Sequence, residues 1–122
     1  MRESDIERHL VKRVKELGGE VRKIKWIGRN GAPDRLVMLP AIHHPAWKAE
    51  PGTTKPGEVC WGYAWDKPAQ TIWVELKAPG LAALFPHTPH ERQQHREHER
   101  MRSMGQRVVV IDSIGGVEEL LA

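Results

Sequence analysis

Three residues carry most of the chemical information in this sequence: Asp34, Glu75 and Lys77. Glu75 and Lys77 flank Leu76 in the segment Trp73-Val74-Glu75-Leu76-Lys77. Alternate residues of a strand share a face, so the acid and the amine project together while Val74 and Leu76 point into a core. A carboxylate and an ammonium held side by side on a rigid strand suit a hydrolytic metal site. Asp34, preceded by Pro33, opens a second strand, and two carboxylates from separate stretches of chain can then converge on a hard cation. Mg²⁺ is such a cation: it prefers oxygen ligands and keeps several waters. So placed, it polarises a scissile phosphate and lowers the pKa of a bound water, while lysine orients or helps deprotonate that water and offsets developing charge. An isolated Glu-x-Lys is most often a surface ion pair on an edge strand. The added carboxylate and the surrounding pattern give this one its chemical weight.

The elements around these residues follow from local signals. Residues 4–17 read as a helix, with Ser4 and Glu7 at the spacing of a capping box and Gly18-Gly19 as the stop. Ile6, Leu10, Val11, Val14 and Leu17 fall within an arc of roughly 140° at ~100° per residue, and Glu7 lies inside it. A carboxylate on the core side needs a partner, because burying it alone is costly. Residues 20–27 read as a strand with an exposed basic face, 28–33 as a turn, and 34–39 as a second strand. Thr71 to Lys77 is strongly strand-like and ends at Ala78-Pro79-Gly80.

After an irregular stretch at 81–88, a polar helix is expected over about 89–104. Thr88 and Glu91 repeat the capping-box spacing, Pro89 sits at the first helical position and Gly105 ends the element. Gln94, His98 and Met101 lie on one stripe of that helix, so Gln94 is expected to face inward, with Gln93 as the alternative ~100° away. Arg107 to Asp112 is a short buried strand, and 116–121 a final helical turn or two. Between the second and third core strands, residues 40–57 hold four of the nine prolines and no periodicity, and read as a loop insertion. From Val59, an alternation places Val59, Trp61, Tyr63 and Trp65 on one side of a strand that turns at Asp66 to Ala69. The order predicts an α/β sandwich around a mixed sheet of four or five strands, with an inserted hairpin or loop at 40–70.

Composition sets the outer limits. A chain of 122 residues with 39% apolar and 29% charged residues has room for one core, and is expected to form a single domain over 1–122. No segment has the length of a signal peptide or a membrane span, so a cytoplasmic location is expected. The single cysteine, Cys60, excludes an internal disulfide and a thiolate pair for structural zinc. A net charge of +3 permits a nucleic-acid partner without requiring one.

With these motifs in order, Pro33-Asp34 followed by Glu75-Leu76-Lys77 resembles the PD-(D/E)XK signature of restriction-like nucleases. The chain further resembles a stand-alone VRR-NUC domain, the virus-type replication-repair nuclease module, over residues 3–39, 71–80 and 93–121. The resemblance implies a restriction-endonuclease-like core in which Glu7, Asp34 and Glu75 surround one or two Mg²⁺ or Mn²⁺ ions, completed by the backbone carbonyl of Leu76. It implies that Lys77 is the catalytic lysine and that Gln94 positions water or lysine. The implied activity is metal-dependent endonucleolytic cleavage of DNA, branched substrates such as a four-way junction included, by a phage or mobile-element type of enzyme. The chain departs from the family pattern in the long segment 40–70 and in Leu84-Phe85-Pro86-His87 before the second helix.

Other features weigh less. Arg22, Lys23, Lys25 and Arg29 beside Trp26, with Arg35, form a candidate DNA-gripping surface or a merely solvated face, and Arg92, Arg96, Arg100 and Arg102 are equally ambiguous. Histidines at 87, 90, 95 and 98 invite a zinc reading, but no recognised ligand spacing completes it. The aromatic stripe of Trp61, Tyr63 and Trp65 suits a core or a two-fold homodimer interface better than base stacking. A catalytically silent nucleic-acid-binding module is the alternative function.

Overall fold

The helix expected at the start of the chain runs over Glu3–Glu16 (α1). Its cap lies one half-turn earlier than Ser4: Asp5 Oδ2 accepts the Arg2 backbone N–H at 2.8 Å. Arg2 and Asp5 share the spacing of Ser4 and Glu7, and the earlier start places an acid against the positive end of the helix dipole. Glu7 is thereby released from capping. The computed structural model describes residues 1–44, 47, 48, 61, 62 and 65–122, with the side chains of 1–43 and 66–122.

Among the described residues eight strands follow in chain order, with one α-helix between the seventh and the eighth. They are β1 (Glu20–Lys23), β2 (Arg35–Leu39), β3 (Ile42–His44), β4 (Trp47–Lys48), β5 (Trp61–Gly62), β6 (Trp65–Lys67), β7 (Gln70–Leu76) and, after α2 (Pro89–Ser103), β8 (Arg107–Ile111). The chain closes with α3 (Ile114–Leu121). The main sheet has the order β1-β2-β7-β8, antiparallel except for the β7–β8 pair. It is the mixed four-stranded sheet expected, flanked by helices. A parallel pair requires a crossover, and α2 supplies it.

Among the described residues of segment 40–70, β3 pairs with β6 and β4 with β5, both antiparallel. Only Pro68 and Ala69 separate β6 from β7, so the turn expected from Asp66 starts at Pro68. The strand β1 stops at Lys23 instead of continuing to residue 27. Of the strand expected from Val59, Trp61–Gly62 in β5 and Trp65 at the start of β6 are described, and the side chains of the aromatic stripe lie outside the described residues.

Two faces of the sheet are covered differently. Ile6, Leu10 and Val14 of α1 pack against Val37, Ile72, Val74, Leu76 and Ile111, and Val117 and Leu121 of α3 complete the cluster. Full burial of each such aliphatic side chain contributes about 1.5–3 kcal/mol. Close approach is enforced at Gly19, where a Cβ would lie 2.2 Å from the Met38 carbonyl oxygen, so the helix end can rest on β2 only without a side chain there. The opposite face, carrying Glu75 and Lys77, is covered by α2, whose buried residues are Gln94, His98 and Met101. This is the stripe the helical period predicts.

Candidate active site

The β2–β7 register pairs Arg35 with Val74 and Leu36 with Trp73. The ladder ends at the Arg35–Val74 pair; carried one residue further, its register brings Asp34 toward Glu75, whose carboxyl feels the charge of Asp34. The approach of Asp34 to the ladder is fixed from its other side, where its carbonyl accepts the Ile24 N–H at 2.8 Å. Trp26 reinforces the same turn: its Nε1–H donates to the Pro33 carbonyl at 2.8 Å, and its ring lies 5.2 Å from that of Trp73.

Glu75 is buried, although it is an acid. Burial pushes its carboxyl up to about 7, against the pull of the Lys77 ammonium, and the negative charges of Asp34 and Glu3 push in the same direction as burial. Its Oε1 has no hydrogen-bond partner among the described residues. The nearest candidate, His98 Nε2, is 3.8 Å away, beyond hydrogen-bonding range. Burial drives His98 down to about 4, so the imidazole is neutral at pH 7 and the pair is not ionic. A buried carboxylate oxygen with no donor is costly, and a divalent cation is the group that would relieve it. The donor set therefore fits a metal of the Mg²⁺ class, as two carboxylates and not as a closed cage. Among the described residues no three His, Cys, Asp or Glu side chains converge closely enough to hold an ion.

Lys77 shares the Glu75 face and is tightly held. Its Nζ donates to Gln94 Oε1 at 2.7 Å and lies 3.3 Å from Glu91 Oε2. It also sits 5.1 Å from the centroid of the Phe85 ring, which stacks on His98 at 5.6 Å. Three contacts on a four-carbon stem remove most of its rotational freedom. Glu91 does two jobs: its Oε1 accepts the Thr88 N–H at 3.2 Å and the His87 N–H at 3.1 Å, while its other oxygen faces the lysine. The Thr88 and His87 N–H bonds and the lysine hold its carboxyl below the usual carboxylate range.

The other expected ligand is placed differently. Glu7 is turned onto Arg35, whose Nε donates to Glu7 Oε1 at 2.8 Å, and this bond lowers the Glu7 pKa. Arg35, expected on the DNA-gripping surface, is instead only 12% exposed and lies between two acids. Its Nη1 is 2.9 Å from Asp34 Oδ2, in an approach too bent for a hydrogen bond. Lys23 and Lys25 are exposed, and Arg29 lies 3.5 Å from Glu97 of α2. Leu76 ends β7 beside Ile111 of β8.

The structure thus brings Asp34, Glu75, Lys77 and Gln94 together and directs Glu7 to Arg35. Sequence reasoning missed Phe85, Glu91 and Glu3. Phe85 is the lone phenylalanine, following the apolar run Leu81-Ala82-Ala83-Leu84, which was a usable signal. Glu91 was hidden by its capping role, and nothing local marks Glu3.

No family model matches the chain. Over 113 residues it is 35% identical to "Putative nuclease p44" of Acyrthosiphon pisum secondary endosymbiont phage 1, an alignment covering 93% of this chain and 85% of that protein. A solved structure described as a VRR_NUC domain superposes with a TM-score of 0.59 at 29% identity, covering 98% of this chain and 92% of the other.

Proposed function

The chain belongs to the VRR-NUC family of nucleases, and on that premise we propose that it hydrolyses DNA phosphodiester bonds internally with a divalent cation, Mg²⁺ or Mn²⁺. The observation that carries this reading is Glu75, a buried carboxylate with an unpartnered oxygen that feels the charge of Asp34 beside it. Asp34, Glu75 and the Leu76 carbonyl would hold the cation, within one catalytic domain over 1–122. When bound, such an ion polarises the scissile phosphate and acidifies a coordinated water.

The chain's own residues account for the rest. Lys77 presents a fixed ammonium toward the phosphate, orienting the attacking water and offsetting charge as the new bond forms. Gln94 supplies that fixity through its 2.7 Å hydrogen bond, which is the positioning role expected of it. Glu7 joins the ligands only by exchanging Arg35 for the cation. Lys23, Lys25 and Arg29 border the site and contact backbone phosphates. A branched substrate such as a four-way junction and a homodimer built on segment 40–70 belong to the same proposal, through the resemblance to stand-alone family members.

The test is cleavage of labelled linear, flap and four-way-junction DNA with Mg²⁺ or Mn²⁺, beside Lys77→Ala and Gln94→Ala. Lys77→Ala is expected to cut on the order of 10²–10⁴-fold more slowly, with a smaller loss for Gln94→Ala. Cleavage undiminished in Lys77→Ala would remove the lysine from the mechanism. A parent protein that binds DNA and cuts none of the substrates would establish the binding module instead.

A further inference from the structure

Four arginines lie along α2, and the structure separates them into two kinds. Arg92 Nη1 donates to the His87 carbonyl at 3.0 Å. Arg102 clamps the Val108 carbonyl at 2.8 Å through Nη2 and meets Glu99 at 2.6 Å. These two tie the helix ends to neighbouring chain. Arg96 and Arg100 are exposed and form no ion pair or side-chain hydrogen bond among the described residues. They sit one helical turn apart, where like charges repel and weaken a helix. An anion between them would reverse the sign of that interaction.

Both line one open cleft of about 360 Å³ between α2 and the turn at 28–30, together with Arg29, Asn30, Gln93 and Glu97. Glu97 lies 3.5 Å from Arg29, so one carboxylate faces three guanidinium groups. The wall of this cleft is held against the helix by Gly31, where a Cβ would lie 3.1 Å from the Gln93 carbonyl carbon and the Gln94 Cα. Gln93 faces the cleft while Gln94, the next residue, holds Lys77. Cleft and candidate active site are therefore neighbours on one helix.

We propose that this cleft is a subsite for the DNA backbone, in which Arg96, Arg100 and Arg29 grip phosphates flanking the one that is cut. The proposal rests on the DNA-nuclease reading. Planar guanidinium forks match phosphate oxygens, and no aromatic or aliphatic residue on which a base would stack lines the cleft. Arg96 and Arg100 lie roughly 3 and 9 Å beyond Gln94 along the helix axis. At ~3.4 Å per nucleotide this spans one to three positions from the scissile phosphate. Contacts of this kind position the strand without reading its sequence.

The experiment is fluorescence anisotropy of a labelled DNA duplex without divalent ions, over a range of salt, for the parent, Lys77→Ala and Arg96→Ala/Arg100→Ala. The double variant is expected to bind about tenfold or more weakly, with the slope of log affinity against log salt reduced by about 1.8 for the two lost contacts. Lys77→Ala, which removes a single ammonium, is expected to lower the slope by at most about 0.9. Arg96→Gln/Arg100→Gln, which keeps helix propensity, is measured alongside and is expected to show the same loss if charge is the cause. With Mg²⁺, both double variants are expected to cut with a KM raised about tenfold or more. Unchanged affinity and salt slope in a parent that binds and cuts DNA would overturn the subsite alone. A parent that neither binds nor cuts DNA would overturn the nuclease reading and the subsite with it.

Discussion

Arg35 donates from Nε to Glu7 Oε1 at 2.8 Å, joining β2 to α1 across 28 residues of sequence. The same guanidinium lies 2.9 Å from Asp34, so an arginine already sits where two of the expected metal ligands would meet. Its positive charge stabilises the acidic cluster in the absence of an ion and opposes an incoming one.

Arg35→Ala is expected to bind Mn²⁺ roughly three- to tenfold more tightly, the effect of removing one water-screened charge. It is also expected to lose about 1–2 kcal/mol of stability, a figure reduced because Glu7 is partly open to solvent. Isothermal titration with Mn²⁺ and thermal melting measure the two effects. Weaker Mn²⁺ binding in the variant would show that Arg35 builds the site and does not compete for it.

Glu75 gives the protein a pH dependence opposite to that of an ordinary surface acid. Burial raises its carboxyl to about 7 in the folded state, whereas the unfolded chain titrates near the usual value of about 4.3. Between these limits the folded state binds the extra proton, so stability is fully present below the unfolded pKa and is lost as pH rises through about 7. Glu75→Gln is expected to melt higher than the parent at pH 8, by about 2–3 kcal/mol, and to lose that advantage near pH 4. It is also expected to abolish cutting. Saturating Mn²⁺ should stabilise the parent most above pH 7, where metal no longer competes with the proton. A parent whose melting temperature is flat from pH 5 to 8 would contradict the buried acid.

Gly31 joins the two halves of the site. Its φ of +84° is one that side chains rarely adopt, and a Cβ there would press on the α2 backbone at 3.1 Å. Gly31→Ala is expected to cost about 1–3 kcal/mol and to lift the turn carrying Arg29 and Asp34 from the helix. Thermal melting reads the first effect. The second appears as weaker DNA binding at temperatures where the variant is still folded.

Much of the framework is legible in the amino-acid sequence. The cap at Thr88 and Glu91, the inward stripe of Gln94, His98 and Met101, and the shared face of Glu75 and Lys77 depend on residues a few positions apart. The α1 cap falls elsewhere than expected because two overlapping pairs, Arg2 with Asp5 and Ser4 with Glu7, have the same spacing. Residues 40–57 give no periodic signal, and the strands described there are two or three residues long, too short for alternation to register.

The arginines show the limit most clearly. At 35, 92, 96, 100 and 102 the side chain is the same, and only its neighbours differ. Sequence by itself determined which residues share a strand face or a helix stripe, since backbone periodicity acts over a few residues. Which charge meets which was decided by tertiary structure, because the register that brings Asp34 toward Glu75 and the packing that turns Arg35 onto Glu7 join segments far apart in the chain. Coulomb forces and hydrogen bonds depend on distance in space, and only the folded chain supplies that distance.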